Sequence, residues 1–198
     1  MTKTLIFVLT VTGNEHTLQK CLTSISANTP EDNFGIMVYK HDYKGFAVGM
    51  NHGLRILQNT NDYDSIILIS DDVVVKPNWL TLFRTAMFNN PNDGIIGPNL
   101  ELRGDTHVAF YCVLITKRCV NNVGLLDEQF IYGEWEDVDY CLRALYEGFT
   151  ISCVGKSVCG HEGSHTLKKM SDEKKELIKQ NKQLFKEKWK GTKYENKW

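Results

Sequence analysis

The chain alternates short apolar runs with stretches in which apolar residues recur every three or four positions. The runs lie at residues 5–9, 35–39, 66–69, 94–98, 108–115 and 150–154, and each predicts a buried strand. Helical spacing joins Leu18, Cys21, Leu22 and Ile25 within residues 17–27. It also joins Ala47, Met50, Leu54 and Leu57 within residues 45–57, although Gly45, Gly49 and Gly53 weaken that helix. Pro77 suits the first turn of a helix through Trp79, Leu80, Leu82, Phe83 and Met87. Val138, Cys141, Leu142 and Leu145 form a further stripe, which Gly148 should end. Strands alternating with helices predict an α/β fold with a mostly parallel sheet covered by helices.

One apolar run carries chemistry at its end. Ile66-Ile67-Leu68-Ile69 stops at Ser70-Asp71-Asp72 and resumes at Val73-Val74-Val75. A buried strand ending this way delivers two carboxylates to the carboxyl edge of the sheet, where α/β proteins bind ligands. Adjacent carboxylates repel unless a positive charge lies between them. A hard divalent cation with oxygen ligands meets that need, which suggests a metal-dependent enzyme acting on a phosphorylated substrate. The plainer alternative is that Asp71 and Asp72 open a turn or cap a helix.

Two further stretches add candidates. Glu134, Glu136, Asp137 and Asp139 crowd the first turn of the helix that carries Val138 and Leu142. Acids are favourable at a helix N-terminus, and Asp139 can pair with Arg143 at i,i+4. Two acids would meet that need; four also repel one another, which points to function. Later, Gly160-His161-Glu162-Gly163 places a histidine between glycines, as a ligand or as an ordinary surface histidine.

Composition narrows the class. The 198 residues suit one domain, and 42% hydrophobic against 24% charged residues is ordinary for a soluble globular protein. A formal net charge of −1 argues against nucleic acid as a general partner. No apolar stretch approaches the ~20 residues of a membrane helix, and no signal peptide is recognisable at the N-terminus. The six cysteines include no Cys-x-x-Cys pair and several sit in apolar runs, as buried thiols do, so a reducing cytoplasm is expected. From Lys168 onward the chain holds eleven Lys against five acidic residues, a surplus of six. Its start at Ser171-Asp172-Glu173 and the sparse stripe Leu177, Ile178, Leu184, Phe185 and Trp189 predict a basic amphipathic helix. That helix packs on the domain, meets an anionic membrane surface, or attracts a diphosphate. The expected organisation is one domain over residues 1–167 with a Lys-rich helical tail over 168–198.

Taken in order, these stretches resemble the inverting glycosyltransferases of family two, which have the GT-A fold. The match runs from about Leu5 to Ser164. Thr10-Val11-Thr12 falls at the first nucleotide-binding loop, and residues 45–54 look like the glycine-rich segment ahead of the metal strand. Ser70-Asp71-Asp72 with Pro77-Asn78-Trp79-Leu80 looks like the Asp-x-Asp motif and its following helix. Gly124-Leu125-Leu126-Asp127-Glu128-Gln129-Phe130 and Glu136-Asp137-Val138-Asp139 match the acceptor segment and the Glu-Asp motif that carries the base. His161-Glu162-Gly163-Ser164 matches the late histidine of the metal site.

The resemblance implies a nucleotide-diphosphate-sugar donor, first of all a UDP-sugar, and transfer with inversion to a glycan, lipid-linked or protein acceptor. It assigns Asp72, His161 and Asp71 to Mn²⁺ or Mg²⁺, with imidazole favouring Mn²⁺. Asp137 becomes the general base, with Glu136 holding acceptor hydroxyls or exchanging roles with it, and Trp135 either stacks on a sugar ring or is a core or lid residue. Thr10, Thr12, Asp42, Asn51 and Asp71 become nucleotide contacts. Two features depart from the pattern. Ser70 replaces the first acid of the metal motif, and Lys40-His41-Asp42-Tyr43-Lys44 shortens the loop that usually contacts base and ribose. The rivals are a nucleotidyltransferase of related fold, whose basic Gly-rich first loop is missing here, and a non-catalytic sugar-nucleotide-binding module.

Overall fold

The computed structural model describes residues 3–30, 33–42, 45–99, 107–161 and 171–195. Tyr43 and Lys44 of the short loop, Glu162, Gly163 and Ser164 of the last motif, and the expected boundary at residues 167/168 lie outside these residues.

A six-stranded sheet has the order β2-β1-β3-β6-β5-β7. Its strands are β1 (Thr4–Val11), β2 (Phe34–His41), β3 (Ser65–Ser70), β5 (Asp93–Gly97), β6 (Cys112–Thr116) and β7 (Thr150–Cys153). β1 pairs in parallel with β2 and β3, and β5 with β7, while β6 runs antiparallel to both β3 and β5. The sheet is therefore mostly parallel, with β6 reversed. A separate two-stranded ribbon joins β4 (Val73–Val75) to β8 (Cys159–His161).

Both faces of the sheet are covered, so its central strands are apolar throughout. On one face Leu5, Phe7, Leu9, Ile66 and Leu68 meet α2 (Phe46–Asn59) through Met50, Leu54 and Leu57. On the other, Ile6, Val8, Ile67 and Ile69 meet Cys21 and Ile25 of α1 (Glu15–Asn28) and Trp79, Leu80 and Phe83 of α3 (Trp79–Asn89). Each such buried side chain contributes roughly 1.5–3 kcal/mol. α4 (Lys117–Val123), α5 (Glu136–Tyr146) and α6 (Asp172–Trp189) are the other α-helices among the described residues. α6 closes a third cluster, in which Phe185 and Trp189 pack with Phe130, Val138 and Leu142.

Three local expectations change, and one further helix appears. Gly49 and Gly53 do not weaken α2 without return. A Cβ at either would lie 2.6 Å from Leu9 or 2.7 Å from Phe7, so the pair lets the helix settle onto β1. Pro77 precedes α3 instead of entering it: Asn78 takes a left-handed φ of 65° and the helix starts at Trp79. The run at 108–115 forms a strand only from Cys112; Ala109, Phe110 and Tyr111 turn away to line a cleft. Finally, α4 carries too short a stripe to be seen in the sequence, yet Thr116 caps it by accepting the Cys119 N–H at 3.2 Å.

Candidate active site

The cleft holds about 320 Å³ at the carboxyl ends of β1 and β3. One wall follows from the pairing of those strands. Leu9 lies opposite Ser70, and the Asp71 N–H donates to the Leu9 carbonyl at 3.1 Å, which sets Asp71 beside Thr10. Thr10 Oγ1 donates to Asp71 Oδ2 at 2.5 Å, and Asn14 Nδ2 reaches Asp71 Oδ1 at 3.5 Å. Burial raises the Asp71 pKa, and these two hydrogen bonds pull against it. Asp71 thus ties the loop after β1 to the end of β3.

Asp72 is differently placed. Its Oδ1 is buried and makes no hydrogen bond, and it sits 3.3 Å from His161 Nε2. The β4–β8 ribbon sets this approach by pairing Val73 with His161. Tyr111 stacks on the imidazole with ring centroids 4.4 Å apart and planes within 8°, which holds its orientation. A carboxylate oxygen facing the lone pair of a neutral ring nitrogen is costly unless a proton or a cation lies between them. Two ligand atoms of an ion at ~2.1 Å stand roughly 3 Å apart along an octahedral edge. The spacing of the pair is therefore one that two ligands of a divalent cation could have. Among the described residues no group of three or more His, Cys, Asp or Glu is arranged to hold a metal.

The facing wall comes from the loop before α5 and the first turn of that helix: Tyr132, Gly133, Glu134, Glu136 and Asp137. Tyr132, Glu134 and Trp135 have φ of 64°, 67° and 79°, with Gly133 at 134° between them. Each such non-glycine residue costs roughly 1–3 kcal/mol, so the surroundings must impose the conformation. Glu136 is 4% exposed, and its Oε2 is buried without a hydrogen bond. Burial first, then the negative charge of Asp137, holds its pKa well above the ordinary carboxylate range. Asp137 is half-buried, and its Oδ1 accepts the Val138 N–H at 2.8 Å.

Asp72, Asp71, His161, Glu136, Asp137 and Thr10 therefore share one cleft. The other expected residues do not line it. Asn51 is fully buried and grips Leu126, accepting its N–H at 2.9 Å and donating to its carbonyl at 3.0 Å. Thr12 and Asp42 meet each other at an exposed 3.3 Å contact. Trp135 leans on Phe185 of α6, with ring centroids 4.9 Å apart. Asp139, the fourth acid of its cluster, is fully buried and held by Arg143 at 2.9 Å, Trp189 Nε1 at 3.1 Å and Lys188 at 2.9 Å. Sequence reasoning missed Tyr111, Tyr132 and Asn14. Asn14 carries a weak signal as the residue that opens α1, whereas nothing local to Tyr111 announces His161.

No family model matches the sequence, and no curated protein matches it. Solved structures do. The catalytic domain of Drosophila beta1,4-galactosyltransferase 7, in complex with xylobiose, superposes with a TM-score of 0.67 at 17% identity, over 90% of this chain and 80% of that one. A second structure of that enzyme, a variant with manganese, UDP-Gal and xylobiose, gives 0.63 at 16% identity, over 89% and 79%. The Pyrobaculum calidifontis mannosyltransferase, in complex with GDP-Man and Mn²⁺, gives 0.64 at 11% identity, over 83% of this chain and 59% of that one. The chain has the GT-A fold. Within it, the Asp72 wall stands at the carboxyl edge of the parallel strands, and the Glu136–Asp137 wall stands at the start of the helix facing it.

Proposed function

We propose that the protein is a metal-dependent glycosyltransferase. It would move a sugar from a nucleotide-diphosphate donor, first of all a UDP-sugar, to an acceptor hydroxyl, with inversion and in glycan biosynthesis. One observation carries the reading: the buried, unsatisfied Asp72 Oδ1 beside His161 faces Glu136 and Asp137 across a single cleft.

Asp72 and His161 hold the cation on this reading, and the imidazole favours Mn²⁺ over Mg²⁺. A divalent ion held by these two residues would neutralise charge on the departing diphosphate. Asp71 keeps the loop after β1 in place through Thr10 and Asn14, so that the loop can border the nucleotide. Asp137 takes the proton of the acceptor hydroxyl as the hydroxyl attacks the anomeric carbon. Attack from the wall opposite the diphosphate gives inversion. Glu136, whose burial favours its neutral form, donates a hydrogen bond to an acceptor oxygen beside Asp137. Manganese, UDP-Gal, GDP-Man and the glycan xylobiose in the structures of similar fold support this donor and acceptor class.

No helix among the described residues is long and apolar enough to cross a membrane. The exposed lysines of α6, among them Lys179, Lys182 and Lys186, suit peripheral contact with an anionic membrane surface on the cytoplasmic side.

The test is a screen of UDP-, GDP- and dTDP-sugars for thermal stabilisation that requires Mn²⁺, followed by product analysis with the best donor. A rise in Tm with one nucleotide class and metal, and a transferred sugar of inverted anomeric configuration, is the expected result. No metal-dependent stabilisation by any donor would remove the reading.

A further inference from the structure

The loop that carries Tyr132, Gly133 and Glu134 into the cleft runs through four consecutive positive φ angles. Its own sequence does not hold it so, since only one of the four residues is glycine. Two other parts of the chain brace it. On one side lies Gly45, where a Cβ would stand 3.3 Å from the Tyr132 nitrogen. On the other lies Asn181 of α6, which is 2% exposed. Its Oδ1 accepts the Ile131 N–H at 3.1 Å, while its Nδ2 donates to the Ile131 carbonyl at 2.9 Å, as a neighbouring strand would. The same Nδ2 donates to the Gly133 carbonyl at 2.7 Å and approaches the Glu134 carbonyl at 3.3 Å. One buried amide thus serves three of the four residues 131–134. The loop leads into Trp135, whose carbonyl accepts the Asp139 N–H at 2.9 Å and so begins α5.

We infer that Asn181 is a positioning residue for the acceptor side of the cleft: the Lys-rich helix acts as a brace that imposes the loop conformation which aims Glu136 and Asp137. The donor side needs none of this, because Asp71, Asp72 and His161 are set by strand pairing. The assignment to the acceptor side rests on the proposed transfer reaction; the bracing itself does not. An amide is required in this place. An aspartate of the same shape would still accept from Ile131 but would set a carboxylate against three carbonyls.

The test compares the full chain with Asn181→Ala and Asn181→Asp. In both variants, hydrogen exchange of the amides at 131–135 should rise at least tenfold while β1 and β3 stay protected. Stabilisation by UDP with Mn²⁺ should hold within twofold in apparent affinity. UDP release from UDP-galactose that depends on added xylobiose should fall at least tenfold in kcat/KM, with the KM for UDP-galactose nearly unchanged. Unaltered exchange at 131–135 would overturn the bracing, as would loss of protection throughout the sheet in both variants. Faster exchange with xylobiose-dependent turnover intact would overturn the positioning role. If the wild-type chain turns over no donor, the proposed function fails while the exchange readout still decides the brace.

Discussion

Two pairs of adjacent acids face each other across the cleft, and they are built in different ways. Asp71 and Asp72 sit where β3 ends, held by the ladder to β1 and by the β4–β8 ribbon. Glu136 and Asp137 sit where a helix begins, after a loop whose residues 132–135 all have positive φ. In each pair one residue makes a hydrogen bond within the protein and the other keeps a buried oxygen with none. Asp71 is taken by Thr10 and Asn14, and Asp72 Oδ1 is left over. Asp137 takes the Val138 N–H, and Glu136 Oε2 is left over. The environments separate two chemically similar acids, as they must where one site is to run both acid and base chemistry. On the proposed reading a cation would satisfy the orphan on the strand side, and burial favours the neutral acid on the helix side.

Breaking the strand side should have the largest effect. Asp72→Ala is expected to lower transfer by about 10³-fold and to abolish stabilisation by Mn²⁺ with donor, read by initial rates and by thermal shift. Breaking the helix side at Asp137→Asn should cost about 10²–10⁴-fold in kcat, yet the metal-dependent Tm shift should persist. That contrast assigns the two walls, and a lost Tm shift in Asp137→Asn would erase it. Tyr111→Ala removes the ring stacked on His161 and should weaken Mn²⁺ binding about 10–100-fold, measured by titration with UDP present. Tyr111→Phe keeps the stack and should change it little.

The smallest effects concern stability and carry a definite sign. Burial raises the folded-state pKa of Glu136 above its ordinary value of 4.5. Between the unfolded and folded pKa the native state binds more protons, so stability falls as pH rises through that window. Asp71, raised from 3.8 by burial, acts in the same direction. Glu136→Gln removes one of these contributions. It should be more stable than wild type by about 1 kcal/mol at pH 7, with the advantage gone below about pH 4.5, as followed by urea midpoints across pH. An advantage that persists at low pH would mean the carboxyl is not kept protonated by burial. Asn51→Ala, by contrast, should lose about 1–3 kcal/mol by stranding the Leu126 backbone groups, while a substrate-independent readout such as the Mn²⁺ affinity stays put.

The order of elements, the covered sheet and the membership of Asp72, His161, Glu136 and Asp137 in one set were legible in the sequence. Strands and helices announce themselves through periodic burial, which is a short-range property, and the acids stood at the ends of those periods. The tertiary structure alone decided which acid of each pair keeps an unsatisfied oxygen. Thr10 reaches Asp71 across 61 residues, and Asn181 reaches the 131–134 loop across about 50. It also withdrew Asn51 and Asp139 into internal networks and turned Trp135 towards α6. A side chain's type limits the bonds it can make, but which partners arrive, and how much water they exclude, depends on segments that meet only when the chain has folded.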